Sequence, residues 1–437
     1  MSRPLLRKSA ASLLDQVALS GLNFVIGLIL IRWVSKADYG LYTTLFAAGI
    51  LATTFLDALI GTSVTTLSAR LPAHERLGYA ARALRLHLLA SLGLGLLFAL
   101  SAIALLAEAH LPTPELLSTS AAFGAYVVTL GAREFCRTAH FIDGQPGNVL
   151  QIDAVFVLAT LLAGLALAQL GAPSLAEVLT TLAAANLLAS ARPVWRLVQL
   201  RLQARADLPP NPPAPLRQGS SAALLRQLWP LSRWALPGAL IGWLCNYSYL
   251  YFAGALLGLT ASADLNAARI LLIPIGLMGV AWSRVARPMA GQLIAQQEWS
   301  GLSRLARQSL LGIEGVTWLY VLLLGLAFPW LASHLLGDKY RNVEPLLWLW
   351  GVYFSINAAR TIGTTWLAAF GAFKPLFWLS LGSFGVLCAA LAWLMPRHGA
   401  AGAIMALILI EALELIVSWA WLLPRARKAM QAAGDPR

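Results

Sequence analysis

Charge is scarce in this sequence. Of its 437 residues only 12% are Asp, Glu, Lys or Arg, where a soluble domain carries about 25%. With 59% apolar residues and a mean hydropathy of +0.70, the chain lacks the polar surface to cover itself with water, which excludes a soluble globular protein. Acids are scarcer than bases, 19 against 32, leaving a net charge of +13. Such an excess suits nucleic acid or membrane orientation, and the placement of the bases decides for the second. Cysteine is nearly absent: Cys136, Cys245 and Cys388 are far apart, each in an apolar stretch. They form no CxxC pair and no His/Cys cluster, which argues against a metal site. No GxxxxGK[ST] stretch is present, so ATP hydrolysis within the chain is not expected. Nor is there a Ser/His/Asp set, a nucleotide-binding glycine loop or a metal-ligand spacing. The sequence reads as a non-enzyme with no cofactor and no nucleic-acid partner.

Long apolar runs fill the space that charge leaves. A spanning helix needs about 20 mostly apolar residues, and twelve segments meet that length. In the first half they run over 12–33, 41–68, 84–107, 115–137, 149–170 and 175–199. In the second they run over 227–257, 263–287, 306–332, 344–370, 375–395 and 400–423. The basic start (Arg3, Arg7, Lys8) followed by an apolar run resembles a signal peptide. The run is too long, carries Asp15 and Gln16 and ends in no small-x-small site, so it reads as an uncleaved first span. Between the halves lies QARADLPPNPPAPLRQGSSA (203–222), a polar, proline-rich, semi-rigid linker. The expected organisation is a six-helix bundle over 1–202, the linker, and a second six-helix bundle over 223–437.

With the N-terminus inside, 24 Lys and Arg fall on the cytoplasmic side and five (Arg32, Lys36, Lys339, Arg341, Arg397) on the outer side. That is a strong positive-inside bias. An odd number of spans would put the basic C-terminal tail outside, so the bias supports an even count with both termini cytoplasmic. At the inner end of the fourth segment, TLGAREFCRTAHFID (129–143) places Arg133, Arg137 and His140 on one helical face. One reading is snorkelling to the interface. The other is a cationic mouth for an anionic headgroup.

The halves echo each other. VSKADYGLY (34–42) follows the first span and TASADLNAA (260–268) follows the seventh, aligning Ala37-Asp38 with Ala263-Asp264. Internal duplication is the usual construction of secondary transporters. Four stretches carry a family likeness: IRWVSKADYGLYTTL (31–45), SADLNAARIL (262–271), LLGDKYRNVEPLL (335–347) and PRHGAAGAIMA (396–406). Over essentially its whole length the sequence resembles the polysaccharide transporters of the MATE-like MOP superfamily, the Wzx-type flippases. The first stretch resembles the family's Arg-x-Leu-x-x-x-x-Tyr-Gly-x-Tyr, with Trp33-Val34 in place of the usual pair. The fourth resembles a Tyr-Gly-x-x-Gly-Ala entry to the last helix, with His398 in the aromatic position.

The resemblance implies an all-α integral membrane fold, about twelve helices in two six-helix bundles around a central cavity, working by alternating access. It implies a polyprenyl-pyrophosphate-linked oligosaccharide as cargo, flipped from the inner to the outer leaflet of the cytoplasmic (inner) membrane for O-antigen or exopolysaccharide biosynthesis. Membrane lipids and polysaccharide polymerase or assembly proteins are the partners it suggests. The two halves already supply a pseudo-symmetric transport unit, so a monomer is expected. Three rivals stand beside this reading: a cation-coupled multidrug or solute antiporter of the same superfamily, a membrane enzyme of polysaccharide assembly, and a non-transporting scaffold or lipid-binding membrane protein, against which mid-bilayer Arg360 and Asp57 count. The enzyme reading lacks its usual long outer loop or paired acids in the first outer loop, which is short and holds only Asp38.

Ionisable residues deep in spans are costly and face a cavity or a partner. Arg360 lies near the middle of the tenth span with Asn357 one turn earlier, and Glu411 and Glu414 lie on one face of the twelfth. They form either a structural Arg360–Glu pair or a titratable site coupling H+ or Na+ movement. Asp57, inside the second span, has no cation near it in sequence. It reads either as partnered from another helix or as a cation site. Arginine's planar fork suits phosphate, so Arg233, Arg269 and Arg360, with Arg133 and Arg137, are the cationic cavity candidates. Arg233 sits by Pro237-Gly238, where a helix break is expected. Ser12 and Asp15 read as a capping box, Asp153 and Glu314 as interfacial, and one or two of Tyr247, Tyr249 and Tyr251 as stacking on sugar.

Overall fold

The computed structural model describes residues 3–108, 112–171, 173–206 and 221–433. The proline-rich linker falls mostly at 207–220, outside the described residues, as does the side chain of Asp15. Among the described residues the structure is helical and contains no strand. The helices are α1 (Arg3–Trp33), α2 (Lys36–Leu56), α3 (Thr62–Ser68), α4 (Ala73–Glu108), α5 (Thr113–Ile142), α6 (Pro146–Leu170) and α7 (Leu175–Ala206). Then follow α8 (Ser221–Leu257), α9 (Leu259–Ile270), α10 (Ile273–Ala295), α11 (Trp299–Leu331), α12 (Glu344–Ala369), α13 (Phe373–Ile416) and α14 (Leu423–Ala433). An all-helical chain is what a bilayer demands, because each backbone N–H and C=O must be satisfied within its own segment.

Each of the twelve predicted segments coincides with helix, with three differences in detail. The second span is α2 and α3 joined through a π-helical turn, Asp57–Gly61. The eighth is broken between Ile270 and Ile273, where α9 and α10 bend by 56°. The last two abut without a loop inside α13, the break being Gly399 at φ 58°, a conformation open to glycine. The expected break near Pro237 is absent, for α8 runs through Pro230 and Pro237. By length and apolarity six helices are sufficient to cross a membrane, or seven if the bent α9–α10 pair is one span, among the described residues. The others are richer in polar side chains: α5 alone carries Arg133, Glu134 and Arg137.

The chain divides into two compact units, residues 1–23 with 45–243 and residues 24–44 with 244–437. Helices α1 and α8 therefore each begin in the first unit and finish in the second. In the first unit α5 packs between α4 and α7. Its approach to α4 is set by Gly95 and Gly124: a methyl on either would stand within 2.9 Å of the other's carbonyl oxygen, the small-residue contact that lets membrane helices close. In the second unit α12 packs on α10, α11 and α13, with Ile362 and Trp366 in a buried cluster with Ala286 and Ala290. Here too the two echoing motifs meet: Lys36 pairs with Asp264 at 2.6 Å, and Asn266 donates to the Tyr39 hydroxyl at 2.8 Å.

Candidate functional site

Both units hold ionisable groups inside helices long enough to span a bilayer. In the first unit the π turn of the second span widens the helix at Asp57, and such bulges often mark functional positions. Gly61 closes that turn. A methyl there would collide with the Asp57 carboxylate, so glycine leaves the carboxylate its room. Thr62 Oγ1 donates to Asp57 Oδ2 at 2.9 Å, and no cation lies within ion-pair distance of Asp57 among the described residues. The carboxylate opens on a cavity of about 340 Å³ lined also by Thr62, His87, Glu134 and Thr138.

His87 and Glu134 carry the rest of that cavity's chemistry. His87 is buried on α4, tilted against Phe135 with ring centroids 4.5 Å apart. Its Nε2 lies 2.9 Å from the Gly131 carbonyl. A carbonyl only accepts, so Nε2 carries the hydrogen, and Nδ1 has no partner among the described residues. Glu134 accepts from Arg133 Nη2 at 2.9 Å and from Arg137 Nη1 at 2.6 Å.

Arg133 and Arg137 are thereby placed. Arg137 Nε also donates to Asp153 Oδ2 at 2.7 Å, Arg133 Nε lies 3.9 Å from Asp153 Oδ1, and the Arg133 guanidinium covers the Phe156 ring at 3.8 Å. The pair neither snorkels nor stands free: two arginines are closed on two carboxylates. His140, on the same face, is buried as well. Asp153, expected at an interface, is fully buried at 0% exposure. Its closeness to the start of the fifth span misleads, because α6 begins at Pro146 and carries Asp153 two turns inward.

In the second unit α12 presents Tyr353, Asn357 and Arg360 to Glu411 and Glu414 of α13. Arg360 Nε donates to Glu411 Oε2 and Nη1 lies 3.3 Å from Glu414 Oε2. Asn357 donates to Glu411 Oε1 at 3.1 Å and Tyr353 at 3.4 Å. Arg269, in the last turn of α9, sits differently. Its Nη1 donates to the Tyr249 hydroxyl at 3.0 Å, and its guanidinium lies 5.6, 5.8 and 5.5 Å from the ring centres of Tyr247, Tyr249 and Trp350. No carboxylate is within ion-pair distance of it among the described residues. The aromatic faces offset part of the cost of a half-buried cation, and four N–H donors remain for a ligand.

Other singled-out residues lie apart. Arg233 is exposed on α8, 5.5 Å from the Trp234 ring centre. Tyr247 and Tyr249 face Arg269, while Tyr251 donates to the Thr44 carbonyl at 3.1 Å, so the three tyrosines diverge as helical geometry requires. Glu314, expected at an interface, is half-buried near the middle of α11 and accepts from Ser355 at 2.6 Å. Sequence reasoning missed His87, Glu134 and Trp350 as site residues. Glu134 was visible as an acid inside an apolar helix; His87 and Trp350 gave no signal above an ordinary core aromatic.

No family model and no curated protein matches the sequence. Solved structures do match. One is an inward-facing conformation of a multidrug resistance MATE family transporter of the MOP superfamily: TM-score 0.70, 13% identity, 96% of each chain covered. An outward-facing conformation of such a transporter matches with TM-score 0.62 and 13% identity over 98% of this chain and 96% of that one. A MOP superfamily transporter from Pyrococcus furiosus, whose reversed pocket polarity suggests a different function, matches with TM-score 0.62 and 14% identity over 99% and 96%. The chain is an all-α integral membrane protein with the MATE-like fold.

Proposed function

We propose that the chain is a flippase that carries a polyprenyl-pyrophosphate-linked oligosaccharide from the inner to the outer leaflet of the cytoplasmic membrane, for O-antigen or exopolysaccharide biosynthesis. The observation that carries this reading is Arg269. Of the four arginine candidates inside the fold it alone, among the described residues, is held without a carboxylate. A half-buried guanidinium that no carboxylate touches, with donors to spare, is a receptor for a phosphate oxygen. Inward- and outward-facing structures of this fold support alternating access, and the sequence resemblance supports the lipid-linked cargo. In this reading the protein works as a monomer with both termini cytoplasmic, and Asp57 couples H+ or Na+ movement.

The test is a lipid extract from cells lacking the gene, analysed by mass spectrometry. A polyprenyl-pyrophosphate oligosaccharide should accumulate, and the wild-type gene but not Arg269→Gln should relieve it. No accumulation with intact surface polysaccharide, in cells holding no second flippase, sinks the reading. The second reading, a cation-coupled solute antiporter, is favoured by the Asp57 cavity. Its carboxylates suit a cationic solute, and cells lacking the gene would then retain organic cations instead of lipid-linked sugar.

A further inference from the structure

The second unit holds two arginines and two glutamates whose charges balance only as a set. Arg360 contacts both Glu411 and Glu414, and one cation cannot neutralise two carboxylates. Among the described residues Arg269 contacts none. A buried charge is expensive unless compensated, and Tyr353 stands in the field of both surpluses, the negative one at Glu411 and the positive one at Arg269. The path between them is continuous. The Arg269 guanidinium lies 5.5 Å from the Trp350 ring centre. Trp350 meets Tyr353 edge-on, centroids 5.1 Å apart at 89°. Tyr353 donates to Glu411.

We propose that an anion binding at Arg269 brings one proton with it onto the Glu411–Arg360–Glu414 set. This rests on the flippase reading and names how its binding site is regulated. A pyrophosphate oxygen that takes up the Arg269 charge leaves the surplus carboxylate uncompensated. The carboxylate regains neutrality by accepting a proton from water, one carboxylate and one H+ giving one carboxylic acid. Glu414 is the acceptor. Glu411 is engaged by Arg360, Asn357 and Tyr353, whereas Glu414 meets Arg360 only at 3.3 Å.

The surroundings of Glu414 suit an acid proton. Ser383, buried at 1% exposure, stands beside Glu414 as a donor to its carboxylate; a hydroxyl both donates and accepts, so turned about it can accept the new O–H. The remaining groups facing this set are Arg360 and Tyr353 from α12, Cys245 from α8, and Glu411 and Cys388 from α13. Arg360 is the only cation among them. The proton travels with the cargo and offsets one unit of its charge; a proton or sodium ion moving against the cargo belongs to the Asp57 cavity instead.

The experiment uses the purified full chain in nanodiscs, with farnesyl pyrophosphate as the probe. Titration calorimetry in two buffers of different ionisation enthalpy counts protons taken up per ligand bound. Wild type should take up one proton more than Glu414→Gln, its affinity should fall as pH rises while that of Glu414→Gln does not, and Arg269→Gln should not bind. Glu411→Gln serves as the second carboxylate variant if Glu414→Gln does not fold. Binding with equal proton uptake in wild type and the carboxylate variants overturns the linkage and leaves the flippase reading standing. No binding to wild type, or unchanged binding to Arg269→Gln, overturns the anion site and the linkage together.

Discussion

The two units solve the same problem in different ways. In the first, Arg133 and Arg137 are closed directly on Glu134 and Asp153, and the group left over is an acid, Asp57, on a cavity. In the second, Arg360 is shared between Glu411 and Glu414, and the group left over is a base, Arg269, in an aromatic enclosure. Contact pairing makes a rigid strut. Balance at a distance leaves a charge that a ligand can claim. The same residue types therefore serve structure in one place and binding in another, and the distinction lies in which charge lacks a contact partner.

The comparison breaks first at the strut. Asp153→Ala leaves Arg133 and Arg137 with one carboxylate, Glu134, between them, and removal of one partner of a buried pair costs about 3–5 kcal/mol. Thermal unfolding in detergent should show that loss. A double-mutant cycle with Arg137→Gln should recover much of it, because the orphaned guanidinium is then gone. Arg133→Gln with Arg137→Gln should also destabilise, since Glu134 and Asp153 lose their donors. An unchanged melting temperature for Asp153→Ala would return both arginines to an interfacial role.

The second unit should respond less to loss of its leftover charge. Arg269→Gln forfeits cation–π contacts worth about 1–2 kcal/mol but removes a half-buried cation that no carboxylate touches. The net change in stability is expected within about 1 kcal/mol, with loss of cargo flipping read from accumulated lipid-linked sugar. A destabilisation as large as that of Asp153→Ala would mean that Arg269 is a strut too.

The fold was legible because lipid is a demanding solvent. Runs of about 20 apolar residues identify helices whatever they pack on, and bases on inner loops orient them. Intramembrane charges such as Asp57, Arg269, Arg360, Glu411 and Glu414 were visible as exceptions in those runs. Their partners were not equally legible. Arg360 and the glutamates could be matched only because each stood out alone. Asp153 was misplaced because distance from a helix start was judged without knowing where α6 begins, and the π turn at Asp57 left no mark beyond a glycine four residues on. Periodicity tells which residues share a face of one helix; it does not tell which helix that face meets.

At the Asp57 cavity the expected effects are smallest in stability and sharpest in function. Gly61→Ala puts a methyl against the Asp57 carboxylate. The side chain can swing aside, so the cost is at the low end of overpacking, about 1 kcal/mol, while the carboxylate loses its place. Asp57→Asn should cost least, within about 0.5 kcal/mol. The amide is isosteric, Thr62 can still donate to its oxygen, and no cation is orphaned by the change. If Asp57 is the leftover charge of the first unit, Asp57→Asn in proteoliposomes should bind cargo normally yet no longer respond to an imposed H+ or Na+ gradient. Should Asp57→Asn instead unfold as readily as Asp153→Ala, Asp57 has a structural counter-charge and belongs with the strut, and the contrast between the two units fails at that point.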